Sequence, residues 1–158
     1  MVRRSSPWTG EEIGEWVDFP LSVEGTVVCL GSGSGLFALE AARASGRRVV
    51  GVDCRAGAKE ALRERCRGYP VKGVVAPAER TGLRSGSAAL VLAIRLLHHV
   101  DSVQRVLEEI ERLLAVGGVV VVGHSGAGIL DLGGAKRIEW ITLDKRPRRW
   151  GWKGVRKE

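Results

Sequence analysis

The segment Gly-Ser-Gly-Ser-Gly at Gly31–Gly35 constrains the fold more than any other feature of the sequence. It follows the apolar run Thr26–Leu30, which is too short for a buried helix and typical of an interior strand. It precedes the alanine- and leucine-rich run Phe37–Ser45, which predicts a helix. Glycines at such a junction let the backbone turn sharply and approach a ligand closely. This segment, the glycine loop, therefore predicts a strand–helix unit with a ligand at its turn.

The rest of the chain alternates between short β-branched runs and amphipathic patterns, as in a parallel sheet with crossover helices. Further strands are expected at Arg48–Val52, Val71–Val75, Ala88–Ile94 and Val119–Val122. One more helix is expected near Ala58–Cys66. Another should begin at a cap formed by Asp101, continue through Leu114 and stop at Gly117-Gly118. Residues 76–87 are too polar and glycine-rich for a helix and predict a loop. Two strand-like runs, Ile138–Leu143 and Trp150–Val155, predict a terminal hairpin.

The 158 residues, 44% of them apolar and 27% charged, are enough for one domain with a sizeable core. We divide that domain into an N-terminal helix or lid (1–23), a cofactor-binding core (24–123) and a basic terminal hairpin (136–158). Thr9 and Glu12 form a capping box for the first helix. Trp8 and Trp16 would either cover a cofactor cleft or pack under the sheet.

Composition excludes several classes of protein. The longest apolar run, Ala88–Ile94, is far shorter than a membrane span of roughly 20 residues, and no signal-peptide segment follows Arg3 and Arg4. We therefore expect a cytoplasmic protein. Three cysteines without metal-ligand spacing predict free thiols and no metal site. The excess of arginine over lysine, 19 to 6, is compatible with a thermophilic source or a GC-rich genome.

A carboxylate follows the second predicted strand. Asp53 stands eighteen residues after Gly35, where a carboxylate can accept both hydroxyls of a ribose. Together with the glycine loop it indicates an adenosine-containing cofactor. The structural alternative is a tight turn beside a solvated acid. The dinucleotide fingerprint needs glycine or alanine at its sixth place, where this chain has Leu36, so an NAD-dependent oxidoreductase is the less favoured interpretation.

From about Glu24 to Gly123 the chain resembles the class I S-adenosylmethionine (SAM) dependent methyltransferases, in particular the small-molecule and RNA enzymes. The motifs that carry the resemblance are the glycine loop, Asp53, the Ala78-Glu79 pair, Leu97-His98-His99-Val100, and the Leu-Leu-Ala-Val-Gly-Gly approach to the fifth strand. The resemblance implies a doubly wound α/β fold with a mostly parallel seven-stranded sheet whose last strand is antiparallel, the terminal hairpin supplying the final two strands.

The resemblance also assigns the cofactor-binding residues. Gly31, Ser32, Gly33 and Gly35 would wrap the methionine part of SAM, Asp53 would hold the ribose, and Ala78 and Glu79 would flank the adenine. Cys54, next to Asp53, is also expected among the cofactor-binding residues. The chain departs from the family at Cys29 and Pro77, where the family usually has acids. Both changes would lower cofactor affinity, and they leave open a catalytically silent SAM- or RNA-binding module.

Methyl transfer from SAM needs chiefly an oriented acceptor and, where required, removal of a proton. Candidate residues follow the fourth and fifth strands: Arg95, His98 and His99 after one, His124 and Ser125 after the other. Histidine suits proton removal near neutral pH. We select His124, His98 and Arg95 as catalytic candidates. The alternative for His98 and His99 is that they help to start the next helix.

The C-terminal segment 136–158 carries nine basic and three acidic residues, and so most of the net charge of +7. Trp140, Trp150 and Trp152 stand among its arginines. Such a surface can neutralise phosphates and stack on bases, which would suit an RNA acceptor as well as a small molecule. The structural alternative is that the tryptophans face the core and the arginines form a solvated rim.

Overall fold

Strands and helices alternate along the residues that the computed structural model describes, which are 11–125, 131–146 and 149–158. The strands are β1 (Thr26–Leu30), β2 (Val49–Asp53), β3 (Val71–Val75), β4 (Ala88–Ile94), β5 (Leu114–Ser125), β6 (Ile138–Arg146) and β7 (Arg149–Arg156). The helices are α1 (Glu11–Trp16), α2 (Leu36–Ser45), α3 (Ala58–Arg65) and α4 (Val103–Leu113). The capping box that we predicted at Thr9 begins outside these residues.

All seven strands form one sheet in the order β3-β2-β1-β4-β5-β7-β6. Strands β1 to β5 run parallel to one another, whereas β7 is antiparallel to β5 and pairs with β6 in an antiparallel hairpin. The predicted fold class is therefore confirmed. The order of the strands reverses between β1 and β4, and ligands bind at this switch point in open α/β sheets.

Helices cover both faces of the sheet. Because side chains alternate along a strand, Val27 and Cys29 of β1 pack with α1, α2 and α3, while Val28 and Leu30 pack on the opposite side with α4. Every residue of β4 is buried, as expected of a central strand covered on both faces. None of the described helices combines the length and apolar character that crossing a membrane requires.

The region around α4 differs from the sequence prediction in two ways. The cap is Ser102, whose side chain accepts a hydrogen bond of 3.2 Å from the Arg105 N–H, and not Asp101. The helix ends at Leu113, and Leu114 already pairs with Ala88 as the first residue of β5. The helical periodicity continues through Leu114, but pairing with the neighbouring strand overrides this local preference.

Strand β2 also differs slightly from the prediction, because it runs one residue further and includes Asp53. Trp16 of α1 is half-buried and packs against the same core cluster as Ile13 and Val17. It does not line the cleft described below. Trp8 lies outside the described residues.

Candidate active site

The carboxyl ends of the first four strands surround a cleft of about 670 Å³, within the range of small-molecule sites. Its walls are formed by residues 31–34, 36–37, 52–55, 76–79, 94–96 and 99–101. The cleft therefore lies at the switch point between β1 and β4. The sequence-predicted cofactor residues Gly31, Ser32, Gly33, Asp53, Cys54, Ala78 and Glu79 all line it.

The glycine loop begins as a left-handed turn at the end of β1. Gly31 and Gly33 have φ angles of 67° and 51°, which favour glycine because other residues clash there. The N–H groups of Gly31 and Ser32 donate to the Val52 carbonyl at 2.7 and 3.0 Å and so tie the loop to β2. Gly35 does not line the cleft. It is the N-cap residue of α2, and a Cβ there would lie 2.9 Å from Leu62.

Asp53 is almost completely buried, yet both of its carboxylate oxygens have partners. Oδ2 accepts a hydrogen bond of 2.9 Å from the Gly33 N–H, and Oδ1 accepts one of 3.0 Å from the Arg55 N–H. The Arg55 guanidinium pairs with both oxygens at 3.2 and 3.4 Å. Burial by itself would raise the pKa of Asp53, but the hydrogen bonds from Arg55 and Gly33 hold that pKa below its usual value.

Arg55 is a site residue that we did not predict. Its side chain is 70% exposed and lines the cleft beside Asp53. The sequence does contain a signal for it. Arg55 stands two residues after Asp53, and at this spacing a long basic side chain can reach back to the carboxylate. An approaching ligand therefore meets an ion pair at this position and not an isolated carboxylate.

The two departures from the family pattern lie in different environments. Cys29 is buried under α2 and does not line the cleft, and burial, with a smaller effect of Cys66, raises the pKa of its thiol to about 12. Pro77 is exposed and lines the cleft beside Ala78, in the turn where the Arg80 N–H donates to the Pro77 carbonyl at 3.1 Å. Only Pro77 therefore changes the lining of the cleft.

Arg95 follows β4 directly and lines the cleft. Its φ of 57° makes it the one non-glycine residue with positive φ in the described part of the chain. A left-handed conformation costs such a residue roughly 1–2 kcal/mol. A hydrogen bond of 2.7 Å from its N–H to the Gly123 carbonyl of β5 holds the backbone there. Strained residues held by their surroundings are frequent at functional sites.

Three imidazoles lie next to one another at the carboxyl ends of β4 and β5. We expected His124 and Ser125 to follow the fifth strand, but β5 includes both, because they pair with Trp150 and Arg149 of β7. The rings of His98 and His99 have centroids 3.9 Å apart, and those of His98 and His124 are 5.6 Å apart, edge to face. His99 lines the cleft, whereas the predicted candidates His98 and His124 do not. Within the described ranges, no group of three or more His, Cys, Asp or Glu side chains is arranged to hold a metal ion.

The environment of two of these rings opposes their protonation. Burial lowers the pKa of His124, and its Nδ1 has no hydrogen-bond partner in the described part of the chain. Partial burial, followed by the charges of His99, His124 and Arg95, lowers the pKa of His98. Both environments therefore favour the neutral form of the ring.

The terminal hairpin contributes to the core. Trp152 is 7% exposed and Trp140 is half-buried against the same cluster. The Arg156 guanidinium donates to the Leu114 carbonyl, and Lys157 pairs with Glu139 at 3.3 Å. The side chains of Trp150 and of Arg146, Arg148 and Arg149 lie outside the described parts of the structure.

Comparisons with known proteins agree on the fold. Residues 28–122 match the sequence profile of a family described as a methyltransferase domain. Among curated proteins, none matches this sequence. The structure is similar to the YcgJ protein of Bacillus subtilis, with a TM-score of 0.82 at 12% identity over 94% of this chain and 98% of that one.

Two ligand-bound enzymes are also similar. One is phosphoethanolamine N-methyltransferase 2 of Haemonchus contortus, in complex with phosphomonomethylethanolamine and S-adenosylhomocysteine. Its TM-score is 0.74 at 15% identity, and the match covers 92% of this chain and 52% of that one. The other is geranyl diphosphate C-methyltransferase of Streptomyces coelicolor, in complex with Mg²⁺, geranyl diphosphate and S-adenosylhomocysteine. Its TM-score is 0.61 at 26% identity, and the match covers 73% of this chain and 45% of that one. The chain thus spans about half the length of these two enzymes.

Proposed function

The chain belongs to the family of methyltransferase domains, and we propose that it binds SAM in the cleft beside Asp53 and transfers the methyl group to an acceptor held beyond β4. The observation that carries this proposal is the hydrogen bond between the Gly33 N–H and the Asp53 carboxylate, because it joins the glycine loop to the strand-end acid inside one cleft.

The residues present fit this cofactor. A Cβ at Gly33 would meet Nη2 of the exposed Arg55 side chain at 3.7 Å and the Gly31 carbonyl at 3.9 Å, both ordinary van der Waals distances, so no core side chain packs against the loop there. The cleft follows the order of the strands, with Glu79 after β3, Asp53 at the end of β2 and the glycine loop after β1. A nucleoside with an amino-acid tail can therefore extend along one edge of the sheet.

Each group has a role that its chemistry supports. The Asp53 carboxylate would accept hydrogen bonds from ribose hydroxyls, with Cys54 beside it. Ala78 and Glu79 would flank the adenine, and the backbone at Ser32 and Gly33 would contact the methionine part. The cofactor, when bound, supplies a methyl group already activated by a sulfonium. The protein must therefore mainly orient the acceptor and exclude water.

Arg95, His98 and His124 are the proposed catalytic group. A neutral imidazole can take a proton from an acceptor atom as its bond to the methyl carbon forms. His99 reaches the cleft, and His98 and His124 stand behind it in a row of contacting rings. His99 is therefore the imidazole that can meet an acceptor in the cleft, with His98 packed against its ring.

Isothermal titration with S-adenosylhomocysteine tests the proposal. The wild-type protein should bind, and D53A should bind about tenfold to hundredfold more weakly, since hydrogen bonds to a charged group contribute about 1.5–3 kcal/mol. E60Q, on the exposed surface of α3, is the matched control. No binding at millimolar ligand would reject the proposal. NADH in place of the cofactor should give no signal, and a signal would favour the oxidoreductase.

A catalytically silent binding module is the second candidate, favoured by the position of the predicted catalytic His98 and His124, neither of which lines the cleft. The two functions differ in turnover. Incubation with tritium-labelled SAM and pools of cellular small molecules or RNA should transfer label to an acceptor if the protein is an enzyme. Cofactor binding without label in any pool would leave the binding module.

A further inference from the structure

The cleft contains two arginines in different situations. Arg55 pairs with Asp53 at the ribose end. Arg95 lines the opposite end, and its guanidinium makes no hydrogen bond or ion pair with any residue that the structure describes. Some arginines have partners, such as Arg47, which donates to the Val23, Gly25 and Leu21 carbonyls, whereas the guanidinium of the exposed Arg84, like that of Arg95, has none among the described residues. Arg95 therefore presents a free donor fork to the cleft.

The position of Arg95 is fixed although its side chain is exposed. Its left-handed backbone and its hydrogen bond to Gly123 set the direction in which the side chain leaves the sheet. Glycine would adopt this conformation without strain. A residue that retains both a strained backbone and an unpaired charge at a cleft is better explained by a ligand than by stability.

The lining of the cleft around Arg95 is mixed. Its apolar members are Ile94, Leu96, Val100 and Phe37, and its polar members are His99 and Asp101. In the strand order β3-β2-β1-β4, this end of the cleft follows β4, on the other side of the glycine loop from Asp53. It is thus the place left for an acceptor when the cofactor occupies the β3–β1 part.

We infer that Arg95 binds a carboxylate or phosphate group of the methyl acceptor, and that the acceptor is an anion with an apolar body. The inference rests on the proposed function, because it assigns the rest of the cleft to the cofactor. The planar guanidinium can bind either anion through two parallel hydrogen bonds, which would fix the orientation of the acceptor.

Four probes with a phenyl body and different charges test this inference. They are phenyl phosphate, phenylacetate, 2-phenylethanol and phenethylamine, each titrated calorimetrically into protein saturated with S-adenosylhomocysteine. We expect at least one anion to bind tenfold or more tightly than the neutral and cationic probes. The stronger of the two anions identifies the group. R95Q should remove the preference, and R84Q should keep it, since Arg84 is exposed in the loop before β4, outside the cleft.

The binding of S-adenosylhomocysteine to each variant separates the possible failures. If the wild-type protein does not bind it, the proposed function fails and this inference fails with it. If it binds but shows no preference for anions, or if R95Q keeps the preference, only the inference is overturned. A loss of more than threefold in affinity for S-adenosylhomocysteine in R95Q would also overturn it, because Arg95 would then contact the carboxylate of the cofactor.

Discussion

The backbone N–H of Gly33 donates a hydrogen bond of 2.9 Å to Oδ2 of Asp53, twenty residues later in the sequence. This contact joins the glycine loop to β2 at the centre of the cleft. It also makes the Asp53 carboxylate part of the support of the loop, so substitutions at either residue should change both stability and cofactor binding.

Gly33→Ala should destabilise the protein. The φ of 51° costs an alanine roughly 1–2 kcal/mol, although its Cβ would make only ordinary van der Waals contacts. Gly57→Ala is the matched control, because Gly57 has a φ of −72° and no atom within 4 Å of its Cβ. There the substitution should stabilise by about 0.4–1 kcal/mol through the unfolded state. Urea denaturation measures both, and equal effects of the two substitutions would contradict the explanation.

Arg55→Gln should strengthen cofactor binding. Removing the exposed ion pair releases the Asp53 carboxylate, and since such pairs contribute about 0.2–1 kcal/mol, the affinity for S-adenosylhomocysteine should rise by up to about fivefold. Arg55 also lowers the pKa of Asp53. The acid limit of binding should therefore move to higher pH in the variant. Calorimetry over a pH series tests both effects, and weaker binding by R55Q would instead assign Arg55 to the ligand.

Glu109 should contribute to stability in a pH-dependent way. This buried carboxylate accepts hydrogen bonds from the Thr81 hydroxyl at 2.8 Å and from Arg112. Burial opposes ionisation, but these contacts lower its pKa below the ordinary value of 4.5. Its contribution is thus present above about pH 4.5 and is lost as the pH falls further.

The change Glu109→Gln should accordingly cost about 1.5–3 kcal/mol at pH 7, and the difference from wild type should shrink in acid. Glu108→Gln, at the exposed neighbouring position, should have little effect. Unfolding free energies measured from pH 7 to pH 3 provide the test. A difference that stays constant with pH would refute the role of the charge.

His124 should make the protein less stable in mild acid. Burial lowers its pKa from the ordinary value of 6.5, so the unfolded chain takes up a proton first as the pH falls. Stability should therefore decrease below about pH 6.5, by at most about 1.4 kcal/mol per pH unit for one proton. H124Q should show a smaller decrease than the wild type, with H99Q as the exposed control. Identical slopes for wild type and H124Q would exclude this effect.

The elements that local patterns specify were predicted well. The strands at Thr26–Leu30, Val71–Val75 and Ala88–Ile94 have the bounds expected from their apolar runs and flanking glycines. The end of α4 was not predicted correctly, because Leu114 fits both the helical periodicity and a strand. Pairing with Ala88, 26 residues earlier, decides between them, and no local pattern contains that information.

For the site, the sequence by itself determined which residue types stand at the carboxyl ends of the strands, since glycines after β1 and an acid at the end of β2 are local properties. The tertiary structure decided which side chains share the cleft. It pairs Arg55 with Asp53, places His99 at the wall with His98 and His124 outside it, and buries Cys29 under α2. The physical reason is that side-chain direction and ion pairing depend on neighbours brought together by the sheet, whereas strand and turn formation depend on residues adjacent in the chain.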